Sequence, residues 1–218
     1  SGFSSVTTTS LSAVCKDQFI RNLGLQLYRR PLLETVETNE LQTFRTEFDS
    51  AADAGKGIDN LVVRLLMSQN FLFHMEDQEI PTGSDPKLFQ LSSYSIANRL
   101  SYTFWNTMPD QQLYDMAQNF DLRSNVKFVE ALNYVLGSSR LDATLKEFAR
   151  GYLHLDKMPH FQSGGSNFQQ FSNGLTFDSN MRKAMIDEAE ELVSFIVRSD
   201  GSLADIFLTD VSFARHTP

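Results

Sequence analysis

LSSYSIANRLSYTFWNTMPDQQLYDMA, residues Leu91 to Ala117, is the stretch whose reading decides the fold. Ile96, Ala97, Leu100 and Phe104 recur three and four apart, the spacing of one face of an α-helix, not of a strand. Ser92 or Ser93 stands where a helix N-cap belongs. Pro109 suits the first turn of a second helix, with Asp110 favourable near its positive end. Leu113, Met116 and Ala117 continue that helix inward. The only tryptophan, Trp105, falls at the corner between the two. Arg99 sits at the edge of the first helix's apolar face, where an arginine extends its charge to water or pairs with a carboxylate. The stretch predicts two helices meeting at a corner inside an all-helical domain.

Toward the N-terminus, Ser1 to Ser10 is Ser/Thr-rich and reads as a linker or disordered lead-in. Leu11 to Tyr28 is helical in pattern, with Phe19, Leu23 and Leu27 on one face. Arg29, Arg30 and Pro31 end it, the arginines expected to face the negative end of the helix. Thr38 or Asn39 caps a helix reaching about Ala54, with Leu41, Phe44, Phe48 and Ala52 inward, and AGKG (Ala54 to Gly57) is expected to close it. That tetrapeptide lacks the spacing of a phosphate-binding loop. A third helix is expected from Ile58 to Ser68. Phe71 to Met75 reads equally as a buried helical turn or a strand. The polar segment 77–90, with Pro81, Gly83 and Pro86, is the expected boundary between a helical subdomain (11–76) and a helical domain (91–218).

Toward the C-terminus, Val126 to Leu136 and Leu141 to Leu153 predict two further helices. FQSGGSNFQQFSNGLTF, Phe161 to Phe177, is a long Gly/Ser/Phe loop. Its Phe161, Phe168, Phe171 and Phe177 either pin it to the body or present an aromatic surface to a partner. Asp178 caps a helix to about Arg198, with Met181, Met185, Leu192, Phe195 and Ile196 as its inward stripe, and Leu203 to Leu208 follows as a short helix. The expected fold is all-α, a multi-helix orthogonal bundle carrying the long loop.

Composition bounds the partners. Nineteen Lys and Arg against 27 Asp and Glu give a net charge of −8, which opposes non-specific binding to nucleic acid or anionic lipid. No apolar run approaches the roughly 20 residues that span a bilayer, so no membrane span is expected. The single cysteine, Cys15, forms no intrachain disulfide and reads as a small buried helix residue.

The chemistry-bearing side chains form no firm constellation. His154, Asp156 and His160 match metal-ligand spacing only loosely. Asp187, Glu188, Glu190 and Glu191 cluster on one predicted helix, where Glu188 alone is expected to turn inward. Glu188 or Glu76 is the expected ion-pair partner of Arg99. No Gly-x-Ser-x-Gly elbow is present. The absence of C-x-x-C-H excludes covalent c-type haem attachment within this segment. Met108, Met158 or His154 would serve as an axial ligand only to a haem supplied from elsewhere.

Two stretches carry a family resemblance. RNLGLQLYRRPL (Arg21 to Leu32) with LLMSQNFLFHMED (Leu65 to Asp77) resembles the family DUF fifteen-ninety-five. The Leu91 to Ala117 stretch resembles its usual neighbour, DUF fifteen-ninety-two, through Leu91, Ser92, Ala97, Arg99, Leu100, Ser101, Tyr102, Trp105, Met108, Pro109, Asp110 and Leu113. His74 stands where the first family usually has an arginine, and the tail FLTDVSFARHTP departs from the second. The resemblance implies an exported, multi-domain protein of planctomycetes and other Gram-negative bacteria, placed in the periplasm or at the cell surface. It implies c-type haem in a separate domain of the whole protein, no cofactor in this segment, and no assigned catalytic residues. The expected role is a scaffold or interaction module whose partners are other domains of the same protein or envelope proteins. The alternatives are part of a periplasmic enzyme, redox or hydrolytic, completed by other domains, and a module binding a polysaccharide or surface partner.

Overall fold

The computed structural model describes residues 12–73, 80–81, 89–158 and 178–213. Its helices are α1 (Ala13–Tyr28), α2 (Glu40–Asp49), α3 (Ala54–Leu66), α4 (Gln69–Leu72), α5 (Ser93–Trp105), α6 (Gln111–Asn119), α7 (Asn125–Gly137), α8 (Arg140–Tyr152), α9 (Ser179–Arg198) and α10 (Asp205–Leu208). Beside them stand a 3-10 turn at Leu155–Lys157 and one antiparallel pair of two-residue strands, β1 (Ile80–Pro81) and β2 (Phe89–Gln90). The architecture is all-α. Capping side chains set where the helices begin: Ser12, Asn39, Asp53, Ser68, Asp110 and Asp178 each accept a backbone N–H from the first turn that follows, which satisfies groups the helix itself leaves unpaired.

The chain forms two compact units. The first comprises residues 1–103 and 107–134, the second 104–106 and 135–218. The first unit takes in residues on both sides of the 77–90 segment, and α5 and α7 each contribute residues to both units.

In the first unit, Ile20 and Tyr28 of α1, Leu32, Leu41, Phe44 and Phe48 of α2, and Leu61 and Leu65 of α3 form the core. The most buried line of α1 is Ile20, Gly24 and Tyr28, while Phe19, Leu23 and Leu27 pack at its flank. Gly24 permits this rotation: a Cβ there would stand 2.6 Å from the Leu32 side chain. AGKG does not close α2. Asp53 Oδ1 accepts the Lys56 N–H at 2.8 Å, so Ala54 to Gly57 open α3 and α2 stops at Asp49. Phe71 lies in the helical turn α4, and Leu72 and Phe73 are exposed rather than buried.

The two arginines after α1 do more than face its end. Arg29 adopts the left-handed conformation (φ 58°), costly for a side chain with a Cβ. Its guanidinium donates to the carbonyls of Asn70 (2.6 Å) and Phe73 (2.8 Å), which close α4. Arg30, 6% exposed, pairs with Glu40 at 2.9 Å, and Glu40 also accepts the Leu33 N–H at 2.8 Å.

In the second unit, Trp105 is 4% exposed, its indole N–H donates to the Val135 carbonyl at 2.9 Å, and the Arg140 guanidinium lies over its ring. Leu141, Leu145 and Ala149 are the buried residues of α8, which packs on α9. Arg198 donates to the carbonyls of Leu136 and Ser138 and pairs with Asp142. The buried stripe of α9 is Ile186, Glu190, Val193, Ser194 and Ile196, and Met185 and Phe195 are exposed. The inward carboxylate of the cluster is therefore Glu190, 5% exposed and paired with Arg150 at 2.6 Å, whereas Glu188 is half-buried.

Candidate functional site

Within the first unit, one face of α1 and one face of α6 line two adjoining cavities of ≈ 320 and ≈ 300 Å³, which share Asn22, Leu25, Gln111 and Tyr114. Helical spacing explains the lining. Asn22, Leu25 and Gln26 are three and four apart on α1, and Gln111 and Gln118 are seven apart on α6. The core-facing lines of these helices, Ile20–Gly24–Tyr28 and Leu113–Ala117, leave these faces outward. Met108, Pro109 and Asp110 extend the first cavity, and Tyr94, Pro31 and Leu32 line the second.

The charged groups around these cavities are already engaged. Arg21 makes a two-pronged ion pair with Glu34, one bond at 2.9 Å, which holds the Glu34 carboxyl below the usual range and raises Arg21. One oxygen of Asp110 accepts the Leu113 N–H at 3.0 Å and the other the Tyr134 hydroxyl at 2.7 Å. Gln111 donates to Asp115 at 2.8 Å. Asn22, Gln26 and Gln118, by contrast, are exposed, and their amides have no partner among the described residues. Tyr114 is 4% exposed and its hydroxyl is buried without a partner among the described residues. Burial pushes the pKa of Tyr114 well above the ordinary phenol value, and that of Tyr94 also rises, so both stay neutral at physiological pH. The groove is neutral, aromatic in part and rich in amides that have no partner among the described residues.

A larger cavity of ≈ 600 Å³ lies among α1, α2 and α3, lined by Tyr28, Phe44, Thr43 and Met67 with Glu40 and Arg64. Glu40 and Arg64 there are held in the Arg30–Glu40 and Arg64–Glu47 pairs, and the exposed Glu37 lies at its edge.

Apart from Met108, the residues singled out by sequence stand elsewhere. His154 is exposed and left-handed (φ 54°) at the head of the 3-10 turn, and the backbone carbonyl of the exposed Asp156 accepts from Arg182 at 3.2 Å. His160 lies outside the described residues. Among the described residues no three His, Cys, Asp or Glu side chains are grouped to hold a metal ion. Arg99 is exposed on α5, in the first unit. Glu188, in the second, accepts the Ser212 hydroxyl. Glu76 and all four phenylalanines of the long loop, Phe161, Phe168, Phe171 and Phe177, lie outside the described residues. Met108 is exposed at the first cavity, and Met158 is half-buried in the second unit. Cys15 is exposed on α1, not buried, because it falls outside the Ile20–Tyr28 line.

Sequence reasoning missed the groove residues Asn22, Gln26, Gln111, Tyr114 and Gln118. Asparagines and glutamines on a helix read as solvated surface, and only the placement of α6 beside α1 turns two such faces into a site. No helix among the described residues is long and apolar enough to cross a membrane.

No curated protein and no solved structure matches the chain. A family model described as "PSD4: Protein of unknown function (DUF1592)" matches residues 91–217, a span that holds α5 through α10 and the α6 side of the groove. That span is more than half of the chain, which therefore belongs to this family, Protein of unknown function (DUF1592).

Proposed function

We propose that the chain is an interaction module of a larger exported protein and holds its ligand or neighbour non-covalently in the groove of α1 and α6. The observation that carries this reading is the set of amides at Asn22, Gln26 and Gln118, which have no partner among the described residues and stand beside charged groups that are already paired. A cleft that presents hydrogen-bonding groups around an apolar and aromatic floor suits recognition. The resemblance of Arg21 to Leu32 and Leu65 to Asp77 to the companion family DUF fifteen-ninety-five supports the same protein type for the N-terminal part. By the same resemblance the setting is periplasmic or at the cell surface, with a c-type haem in a separate domain; this chain, with one cysteine, has no C-x-x-C-H of its own.

Hydrogen exchange tests the reading. Amides of α1 and α6 should exchange more slowly in the full-length protein from its native host than in this chain alone. Identical exchange of both helices in the two settings would remove the groove as an interaction surface. A visible spectrum of the same full-length protein tests the haem separately, and a colourless protein sinks that part.

A further inference from the structure

We infer that the groove takes a neutral, polyhydroxylated ligand, a short run of uncharged polysaccharide. This rests on the binding reading above and names its substrate class. Charge is the first argument. An anionic ligand would need an uncommitted cation, but the cation lining the cavities, Arg21, is matched by both oxygens of Glu34. A cationic ligand would need an uncommitted carboxylate, but Asp110 accepts at both oxygens, from Leu113 and Tyr134. A neutral ligand leaves both arrangements intact.

Hydrogen-bonding capacity is the second argument. A side-chain amide offers two donors and an acceptor, so Asn22, Gln26 and Gln118 present both kinds of group in quantity. Sugar hydroxyls are donor and acceptor at once and match that mixture. Shape is the third. Tyr94 and Leu25, both half-buried, give apolar surface beside the amides, suited to the C–H face of a pyranose ring while the amides take its hydroxyl edge. Two adjoining cavities, each at the lower end of the roughly 300–1,000 Å³ usual for small-molecule sites, fit consecutive sugar units.

The test is titration of the full chain with cellotriose, laminaritriose, maltotriose, xylotriose and N,N′-diacetylchitobiose, followed by ¹⁵N NMR, with trigalacturonic acid as the charged comparison. At least one neutral sugar should shift the side-chain amide resonances of Asn22, Gln26 and Gln118, and trigalacturonic acid should not. The double variant Asn22→Ala, Gln118→Ala should bind that sugar about tenfold more weakly, as expected for two lost hydrogen bonds of modest net strength, with an unchanged melting temperature. No shift with any neutral sugar at about 10 mM, a level that detects millimolar binding, overturns the inference. Equal response to the charged trimer, or unaltered binding by the double variant, also overturns it. If the sugars fail while α1 and α6 are still protected in the full-length protein, the interaction reading stands and only the saccharide is lost.

Discussion

At Tyr114 the molecule accepts a local cost. The residue is 4% exposed and its hydroxyl has no hydrogen-bond partner among the described residues, an arrangement that costs about 1–3 kcal/mol against a satisfied or absent group. Tyr114→Phe should therefore raise the free energy of unfolding by about 1 kcal/mol or more, as measured by chemical denaturation. The same substitution has a pH consequence. Burial raises the pKa of Tyr114 in the folded chain, so its contribution is complete below the ordinary phenol pKa of 10.0 and is lost as pH climbs through the folded value. The unfolded chain releases that proton first, which favours unfolding in alkali. The phenylalanine variant should unfold at higher pH than the parent, and coincident alkaline midpoints would contradict the assignment. Glu190 poses the opposite case, a buried carboxylate with a good partner. Arg150 is half exposed in that pair, so Arg150→Met should cost about 1–2 kcal/mol, less than breaking a fully buried pair. Adding Glu190→Leu should recover part of the loss. A double variant as unstable as the single one would show that the carboxylate's burial is not the source of the cost.

At the scale of the elements, helices were legible and their rotations were not. Apolar spacing and caps placed α5 and α6 closely, because Ser92 and Asp110 are strong start residues and Pro109 forbids a continuous helix. On α9 the pattern pointed to Met185 and Phe195, yet the buried stripe runs through Glu190 and Ser194. Hydrophobicity alone discounts a glutamate that Arg150 makes affordable in the interior. The AGKG segment misled for a related reason: glycines read as a stop, whereas Asp53 supplies a cap and Gly57 lets the Phe48 ring and carbonyl approach within 3.0–3.1 Å of where a Cβ would stand. Asp53→Ala should lower stability by about 1 kcal/mol through loss of that cap, with Asp53→Ser close to the parent. If alanine and serine are equivalent, the start of α3 is fixed by packing and not by the cap. The groove was illegible for a deeper reason. Its amides acquire meaning only when α1 and α6, some ninety positions apart in sequence, flank common cavities.

Across the whole molecule, two electrostatic effects act against each other as pH falls. The net charge of −8 repels itself, and that repulsion relaxes on approach to a pI of ≈ 5.0, which favours the compact state. Against this, Asp17 beside Arg45, Glu34 beside Arg21 and Asp121 beside Arg123 are all held below their ordinary pKa by hydrogen bonds to the guanidinium groups. A depressed folded pKa contributes stability that is present above the unfolded value, 3.8 for aspartate and 4.5 for glutamate, and is lost as pH falls through the folded one. Stability should therefore hold or rise slightly from neutrality to about pH 5 and fall below about pH 4. All three carboxylates lie at the surface, so salt should flatten the acid limb through screening. Asp17→Asn isolates one contributor, since asparagine keeps the shape but cannot gain or lose a proton. Its stability should be lower than the parent's at pH 7 and converge on it as pH falls through the depressed folded pKa of Asp17. Acid curves that remain parallel throughout the acid limb would mean that the Asp17–Arg45 pair contributes through shape and not through charge.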